Sequence, residues 1–234
     1  QLPPAPTIAH AFGWASAMQW LAVIVLLALP AAWVLRGNSK AAAASAAVAS
    51  GVKPLTAREA IKQALATPSY IYLSLGFLVC GFHVAFLATH LPGVVAACGL
   101  SPAVGGWALA IIGLFNIVGS LAMGWAVGRW RMKSMLALLY ATRGIAVLVF
   151  LLAPKTPAVM LMFAAVMGIT YLSTVPPTVG LVAKMFGTGN MAMLFGIVML
   201  AHQVGGFMGA FLGGYIFQAT GSYDWVWYID IMLA

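Results

Sequence analysis

Charge is what this sequence has least of. Only three residues are acidic, Glu59, Asp224 and Asp230, against eleven Lys or Arg in 234 residues. Charged residues make up 6% of the chain and apolar ones 64%, where a soluble domain has roughly 25% and about 45–50%. So few charges cannot coat a water-facing surface, and lipid must solvate most of this one. Three acids, only one of them in a long apolar run, also leave little for general acid–base catalysis. Cysteine is scarce as well. Cys80 lies inside an apolar run and Cys98 in a short loop, with neither the pattern of a disulfide framework nor that of a metal site. The sequence has no Gly-rich phosphate loop, no His/Glu metal cluster and no Ser/His/Asp set on matching faces. No catalytic residue, metal or cofactor is therefore expected. The aromatic residues are not interleaved with Arg and Lys as nucleic-acid binding needs, so the net charge of +8 does not predict a nucleic-acid partner. The chain opens on Gln1 with no basic segment before its first apolar run, and stops at Ala234 just inside a new one. No signal peptide is expected, and the sequence reads as a fragment cut at both ends.

What the sequence has in quantity is long apolar runs. They cover Trp14–Leu35, Tyr70–Leu91, Val104–Val127, Met135–Ala153, Ala158–Ala183 and Ala192–Phe217, and a further run begins near Trp225. Each of the six complete runs is long enough for a spanning helix of roughly 20 residues. They lack the two-residue alternation of barrel strands. In hydrocarbon only helices and closed barrels satisfy their backbone groups, so the prediction is an all-α membrane protein of six transmembrane helices plus the start of a seventh. Pro68 and Pro92 bracket the second run, Pro154 stops the fourth, and Pro176-Pro177 interrupts the fifth. Gly113, Gly119 and Gly124, and then Gly205, Gly206, Gly209, Gly213 and Gly214, are spaced to let helix backbones approach closely. Between the first two runs lies a polar stretch, Gly37–Thr67. Its Ala/Ser-rich part, Ala41–Ser50, reads as a flexible linker. Thr56 stands three residues before Glu59, the spacing of a capping box on a short surface helix. Nine of the eleven Lys and Arg fall on one side of this topology, only Lys155 falls on the other, and Arg143 lies within a run. The positive-inside rule places the long loop in the cytoplasm.

The run Gly124-Trp-Ala-Val-Gly-Arg-Trp-Arg-Met-Lys133 resembles the cytoplasmic motif G-x-x-x-D-R-x-G-R-K of the major facilitator superfamily. Gly124, Arg129 and Lys133 match, whereas Gly128 replaces the acid and Arg131 the second glycine. The layout is similar too, with a long basic loop after the first run as between helices six and seven of that twelve-helix fold. The resemblance implies that residues 1–36 form a helix like helix six, 37–67 a cytoplasmic inter-bundle loop, and 68–234 a truncated bundle like helices seven to twelve. The stretch from Gly213 to Tyr223 looks like the close of helix eleven in the branch with monocarboxylate porters and oxalate–formate exchangers, although Gln218 stands where that branch often has Asp. In animal monocarboxylate porters helix eight carries an Asp and, four residues later, an Arg. Aligned on Gly124, those positions hold Asn116 and Ser120 here. The spacing is kept and both charges are gone.

An ionisable residue inside the membrane is a functional candidate by default. Arg143 lies ten residues past Lys133, near mid-membrane. It could hold a substrate carboxylate, or it could pair with a carbonyl. His83 and His90 share one helix face. His202 and Gln203 lie midway along the sixth run, and the resemblance puts this run and the second against the central cavity. Each imidazole could carry a coupling proton or serve as a neutral hydrogen-bonding core residue. Gly205, Gly206 and Gly209 are expected to pack one face and leave an adjacent His202 face free. Thr170, Tyr171, Ser173 and Thr174 precede the two prolines, which suits a substrate site or hinge, and equally suits repair of freed carbonyls by hydroxyls. Asn116 fits substrate binding or an interhelical bond. The resemblance implies a secondary active transporter for a small organic anion such as a monocarboxylate, in a bilayer such as the bacterial inner membrane, completed by a missing amino-terminal bundle. The alternatives are a proton-coupled exporter of drugs or other organic solutes and, in another class, an intramembrane enzyme or sensor.

Overall fold

In the computed structural model, residues 55–234 are described throughout, together with short stretches between residues 15 and 34. The expected first spanning run and the Ala/Ser linker lie largely outside the described residues. Of that part, the helix α1 covers Leu29–Val34 and belongs to a separate compact unit, residues 1–54.

The second unit, residues 55–234, is all helix and loop among its described residues. It opens with α2, Ala57–Leu65, whose start is the capping box that the sequence spacing suggested. The Thr56 amide donates to Glu59 Oε2 (2.9 Å), and the Glu59 amide donates back to Thr56 Oγ1 (3.4 Å). The Thr56 hydroxyl (2.7 Å) and the Thr56 amide both donate to the exposed Glu59 carboxylate and hold it below its usual range. Ala60 and Ala64 bury the inner face of α2 against the bundle.

Five segments are long and apolar enough to cross a membrane: α3 (Pro68–Ala97), α4 (Pro102–Ala126), α5 (Met132–Leu152), the broken span Pro157–Phe186, and α8 (Met191–Thr220). The broken span consists of α6, Pro157–Thr170, and α7, Val175–Phe186. A final helix, α9, covers Asp224–Leu233. Prolines open α3, α4 and α6 in the first turn, where a missing N–H costs nothing.

One boundary departs from expectation. Pro92 does not close α3, which runs on to Ala97. Proline removes only one ladder bond, and Leu91, Val94 and Val95 are buried in the core on either side of it. The stop comes at Gly99, whose φ of 70° lets Leu100 donate back to the Val95 carbonyl (3.1 Å) and Gly99 to the Ala96 carbonyl (2.9 Å). That is a Schellman closure, which favours glycine because φ is positive.

Two helix pairs are drawn together by glycine. Gly81 of α3 lies on the His202 carbonyl of α8, while Gly205 and Gly209 of α8 lie on the carbonyls of Leu78 and Phe82. In the second pair Gly119 of α4 meets the Ile169 carbonyl of α6, and Gly168 of α6 meets Ile112 and Phe115 of α4. A Cβ at these positions would collide with backbone. Not every glycine works this way, since Gly113 and Gly124 have open space where a side chain would go. An aromatic cluster fastens α9. Trp227 meets Phe86 edge-on at 4.9 Å between ring centroids, and Phe150 stacks on Phe163 at 4.5 Å. Outward-facing Leu114, Leu121, Ile145, Leu152, Phe207 and Phe211 suit lipid rather than water.

The glycine contacts predict a contrast. Gly205→Ala, pressed against backbone that cannot yield, should destabilise the protein by about 1–3 kcal/mol. Gly113→Ala should leave stability unchanged or raise it by about 1 kcal/mol through helix propensity. Melting of the two purified variants in detergent, side by side, checks this; equal melting of both would remove the close-packing account.

Candidate polar site at the broken helix

The site is generated by Pro176 and Pro177. Lacking N–H groups, they cannot continue the hydrogen-bond ladder of α6, and they fall in the first turn of α7 instead. Between Thr170 and Val175 the chain tightens. The Tyr171 amide reaches the Gly168 carbonyl (3.1 Å) and the Val175 amide the Leu172 carbonyl (3.0 Å). A buried backbone group freed in this way must find another partner.

The partners come from neighbouring helices. Arg143, on α5 and only 1% exposed, donates through Nη2 to the Thr170 and Tyr171 carbonyls, the latter at 2.6 Å. Its Nε points to Thr170 Oγ1 (3.4 Å) and its Nη1 to Cys80 Sγ on α3 (3.3 Å). Cys80 Sγ in turn lies 3.2 Å from Thr174 Oγ1. From α4, Asn116 accepts the Leu172 amide at Oδ1 (3.1 Å) and also the Ser120 hydroxyl (3.3 Å). The Tyr171 hydroxyl crosses to the Val84 carbonyl of α3 (2.8 Å), and Ser173 Oγ donates to the Ile169 carbonyl. Hydroxyls thus repair part of the break, and a guanidinium takes the two carbonyls at its centre.

On the far side of Cys80, His202 packs its ring on Phe77 with centroids 5.0 Å apart, and its Nδ1 is 3.3 Å from Gln203 Oε1. The face expected to be free is not free. His202 lies on the same buried stripe of α8 as Gly205 and Gly209, because residues three and seven apart share a helix face, while Gln203 is on the exposed side. His83, one turn beyond Cys80 on α3, is buried against α9. Its Nε2 is 3.1 Å from the Asp230 main-chain carbonyl and 3.2 Å from Asp230 Oδ1. His90 sits apart from this group, its Nε2 2.8 Å from the Ala210 carbonyl.

The structure therefore brings Arg143, Tyr171, Thr174, His83 and His202 into one polar group and ties Asn116 to the same break from the opposite helix. Three members escaped the sequence reading. Cys80 gives no signal in the sequence, because a lone cysteine in an apolar run reads as packing. Tyr140, whose hydroxyl donates to the Gly76 carbonyl (2.6 Å) and whose ring lies 5.7 Å from the Arg143 guanidinium, carried no signal. Asp230 could have been found, because it is the one carboxylate inside an apolar run. Among the described residues no three His, Cys, Asp or Glu side chains converge as a metal site.

At one end of the bundle the loop from Val127 to Arg131 joins α4 to α5. Arg129 stacks over Trp125 at 4.0 Å and donates to its carbonyl (3.4 Å), and a Cβ at Gly124 would point into open space. Arg129, Arg131, Lys133 and Lys184 line a cleft of about 690 Å³ there. A cleft of about 410 Å³ shares Ser69, Lys133, Leu181 and Met185 with it and rises to Gly76 and Tyr140. Lys155 lies at the other end of α5, where it caps the carbonyls of Phe150, Leu151 and Ala153.

Residues 73–234 match the sequence profile of the Major Facilitator Superfamily. The chain belongs to that superfamily. It is an integral membrane protein. Among curated proteins it is 29% identical over 157 residues to a Bacillus subtilis (strain 168) protein described as an uncharacterized MFS-type transporter, YcxA, covering 64% of this chain and 38% of that one. It is 24% identical over 153 residues to monocarboxylate transporter 13 of Rattus norvegicus, covering 64% and 35%. It is 25% identical over 165 residues to monocarboxylate transporter 12 of Xenopus laevis, covering 68% and 35%. The chain thus spans a little over a third of the length of the curated relatives it matches.

If Arg143 holds the break together, removing it leaves two carbonyls without partners. Arg143→Met should destabilise the protein by about 1–3 kcal/mol for each. Asn116→Ala, which strands one amide, should cost about 1–3 kcal/mol in all. Denaturation of both variants in detergent measures the difference; an Arg143→Met protein as stable as the parent would show that the guanidinium is not a structural brace.

Proposed function

We propose that the complete protein is a secondary active transporter that moves a small organic anion, such as a monocarboxylate, across the bacterial inner membrane by alternating access. The observation that carries this reading is the buried Arg143 at a broken spanning helix. Discontinuous helices supply sites near mid-membrane in carriers of this general kind, and a fixed cation there favours an anionic cargo. The names of the two monocarboxylate transporters among its relatives support the same substrate class. In this reading residues 68–234 form one bundle, residues 37–67 the cytoplasmic loop before it, and an amino-terminal bundle supplies the other half of the site. Thr170, Tyr171 and Thr174 sit where small changes in the break alter which groups face the cargo.

A proton-coupled exporter of other organic solutes is the second reading. It is favoured by Asn116 and Ser120, which bond to one another as neutral groups at positions where animal monocarboxylate porters carry an acid and a base. Members of this superfamily are transporters rather than enzymes, which weighs against an intramembrane enzyme or sensor.

Counterflow in proteoliposomes of the full-length protein separates the two transport readings. Carboxylates are expected to exchange against preloaded carboxylate, while neutral and cationic solutes are not; the reverse pattern overturns the anion assignment. Topology gives a second test. Cysteine placed at Lys184 should be labelled only from the cytoplasmic side, and cysteine at Lys155 only from the outer side. Labelling of position 184 from outside intact cells would invert the proposed orientation.

A further inference from the structure

His83 and Asp230 have no part in repairing the broken helix, yet both are sealed in the interior, at 1% and 2% exposure. Buried polar atoms with a structural role are nearly always hydrogen-bonded. Among the described residues, His83 Nδ1 and Asp230 Oδ1 have no hydrogen-bond partner. The carboxylate oxygen lies 3.2 Å from His83 Nε2, close enough to share a proton, but that ring nitrogen is directed to the Asp230 main-chain carbonyl at 3.1 Å. A buried polar pair is secure as a fixture only when further donors and acceptors satisfy it. None does so for these two atoms, which leaves the pair open to gaining or losing a proton.

The surroundings limit what that proton can do. Arg143 of α5 is the fixed cation whose field reaches both His83 and Asp230. Its other polar neighbours are Cys80 on α3, Tyr140 on α5, and Thr170 and Tyr171 at the break, with His202 of α8 beyond Cys80. Asp230 is the one carboxylate in this group. Phe82 lies against the His83 ring, and Phe86 touches both Tyr223 and Trp227.

We infer that His83 and Asp230 form a proton-binding site, taking up one proton at Asp230 Oδ1, and that this proton is the one coupled to anion transport. The coupling follows from charge balance. With Asp230 ionised, its negative charge offsets Arg143 and the cluster offers nothing to an anion. With Asp230 protonated and hydrogen-bonded to the imidazole, the charge of Arg143 is uncompensated, and an anion near the Tyr171–Thr174 break becomes favourable. Proton and anion then enter together without net charge, and the proton leaves to water when the anion does. No covalent bond changes. The coupling rests on the transport reading above, whereas the proton site does not.

Infrared difference spectra of the purified full-length protein, recorded on stepping the pH down, read the site directly. The wild type should gain a protonated-carboxyl band that Asp230→Asn lacks and that His83→Gln moves to a different midpoint. A band unchanged in Asp230→Asn overturns the proposal. Should Asp230→Asn fail to fold, Asp230→Glu carries the test, because its band must shift in frequency and midpoint, and an unshifted band has the same force. In proteoliposomes with lactate as the probe, an inward proton gradient should stimulate wild-type uptake. Both Asp230→Asn and His83→Gln should lose that stimulation while lactate–lactate exchange continues. Retained stimulation in Asp230→Asn overturns the coupling. A wild type that shows the band but moves no carboxylate refutes the transport reading and leaves the proton site standing.

Discussion

The arrangement of this bundle depends on one backbone deficit. Two consecutive prolines interrupt the span Pro157–Phe186, and in a membrane the carbonyls and amide released at the interruption cannot turn to water. Three neighbouring helices contribute polar groups there. Arg143 comes from α5, Asn116 from α4, Cys80 and the Val84 carbonyl from α3. A lipid-facing helix with a full ladder would need none of these. The polar centre is thus a consequence of Pro176 and Pro177, and its position along the membrane follows from where those prolines fall.

Holding the centre together requires the helices to approach closely enough for short side chains to bridge them. Glycine provides that approach along α3 and α8, and along α4 and α6. The two pairs flank the break. Asn116 is short, and it reaches the Leu172 amide because Gly119, one turn further along α4, lies against Ile169. Where no neighbour presses, as at Gly113 and Gly124, glycine makes no such contribution.

Much of this was legible in the sequence, for a physical reason: hydrocarbon penalises unpaired backbone so heavily that long apolar runs have one solution. The spans, the interruption at the prolines and the cap at Thr56 all follow from local chemistry. The end of α3 does not, because the buried residues around Pro92 outweigh the one bond it removes, and the glycine that ends the helix lies seven residues later. In the polar centre, Arg143 and the Thr170–Thr174 hydroxyls announced themselves by being out of place in lipid. The face of α8 that carries His202 differs from expectation, because the glycines beside it mark the packed stripe and His202 shares that stripe. Cys80 and Tyr140 were invisible, since either residue is ordinary in an apolar helix until a cation is seen beside it.

The placement of charge bears on mechanism more than its amount does. By the resemblance on Gly124, helix eight of animal monocarboxylate porters carries an acid and a base where this chain has Asn116 and Ser120, and here those two residues serve the backbone and each other. The buried ionisable groups of this bundle lie elsewhere, Arg143 on α5 and Asp230 on α9. A guanidinium that already holds two carbonyls cannot release them to grip a cargo without undoing the break. Its influence on an anion must be exerted largely through its field, and a field can be switched by neutralising a nearby carboxylate without any movement of the arginine. That favours a division of labour in which Arg143 stays fixed as a brace and a constant charge, while the variable element is the protonation of the one carboxylate within its reach.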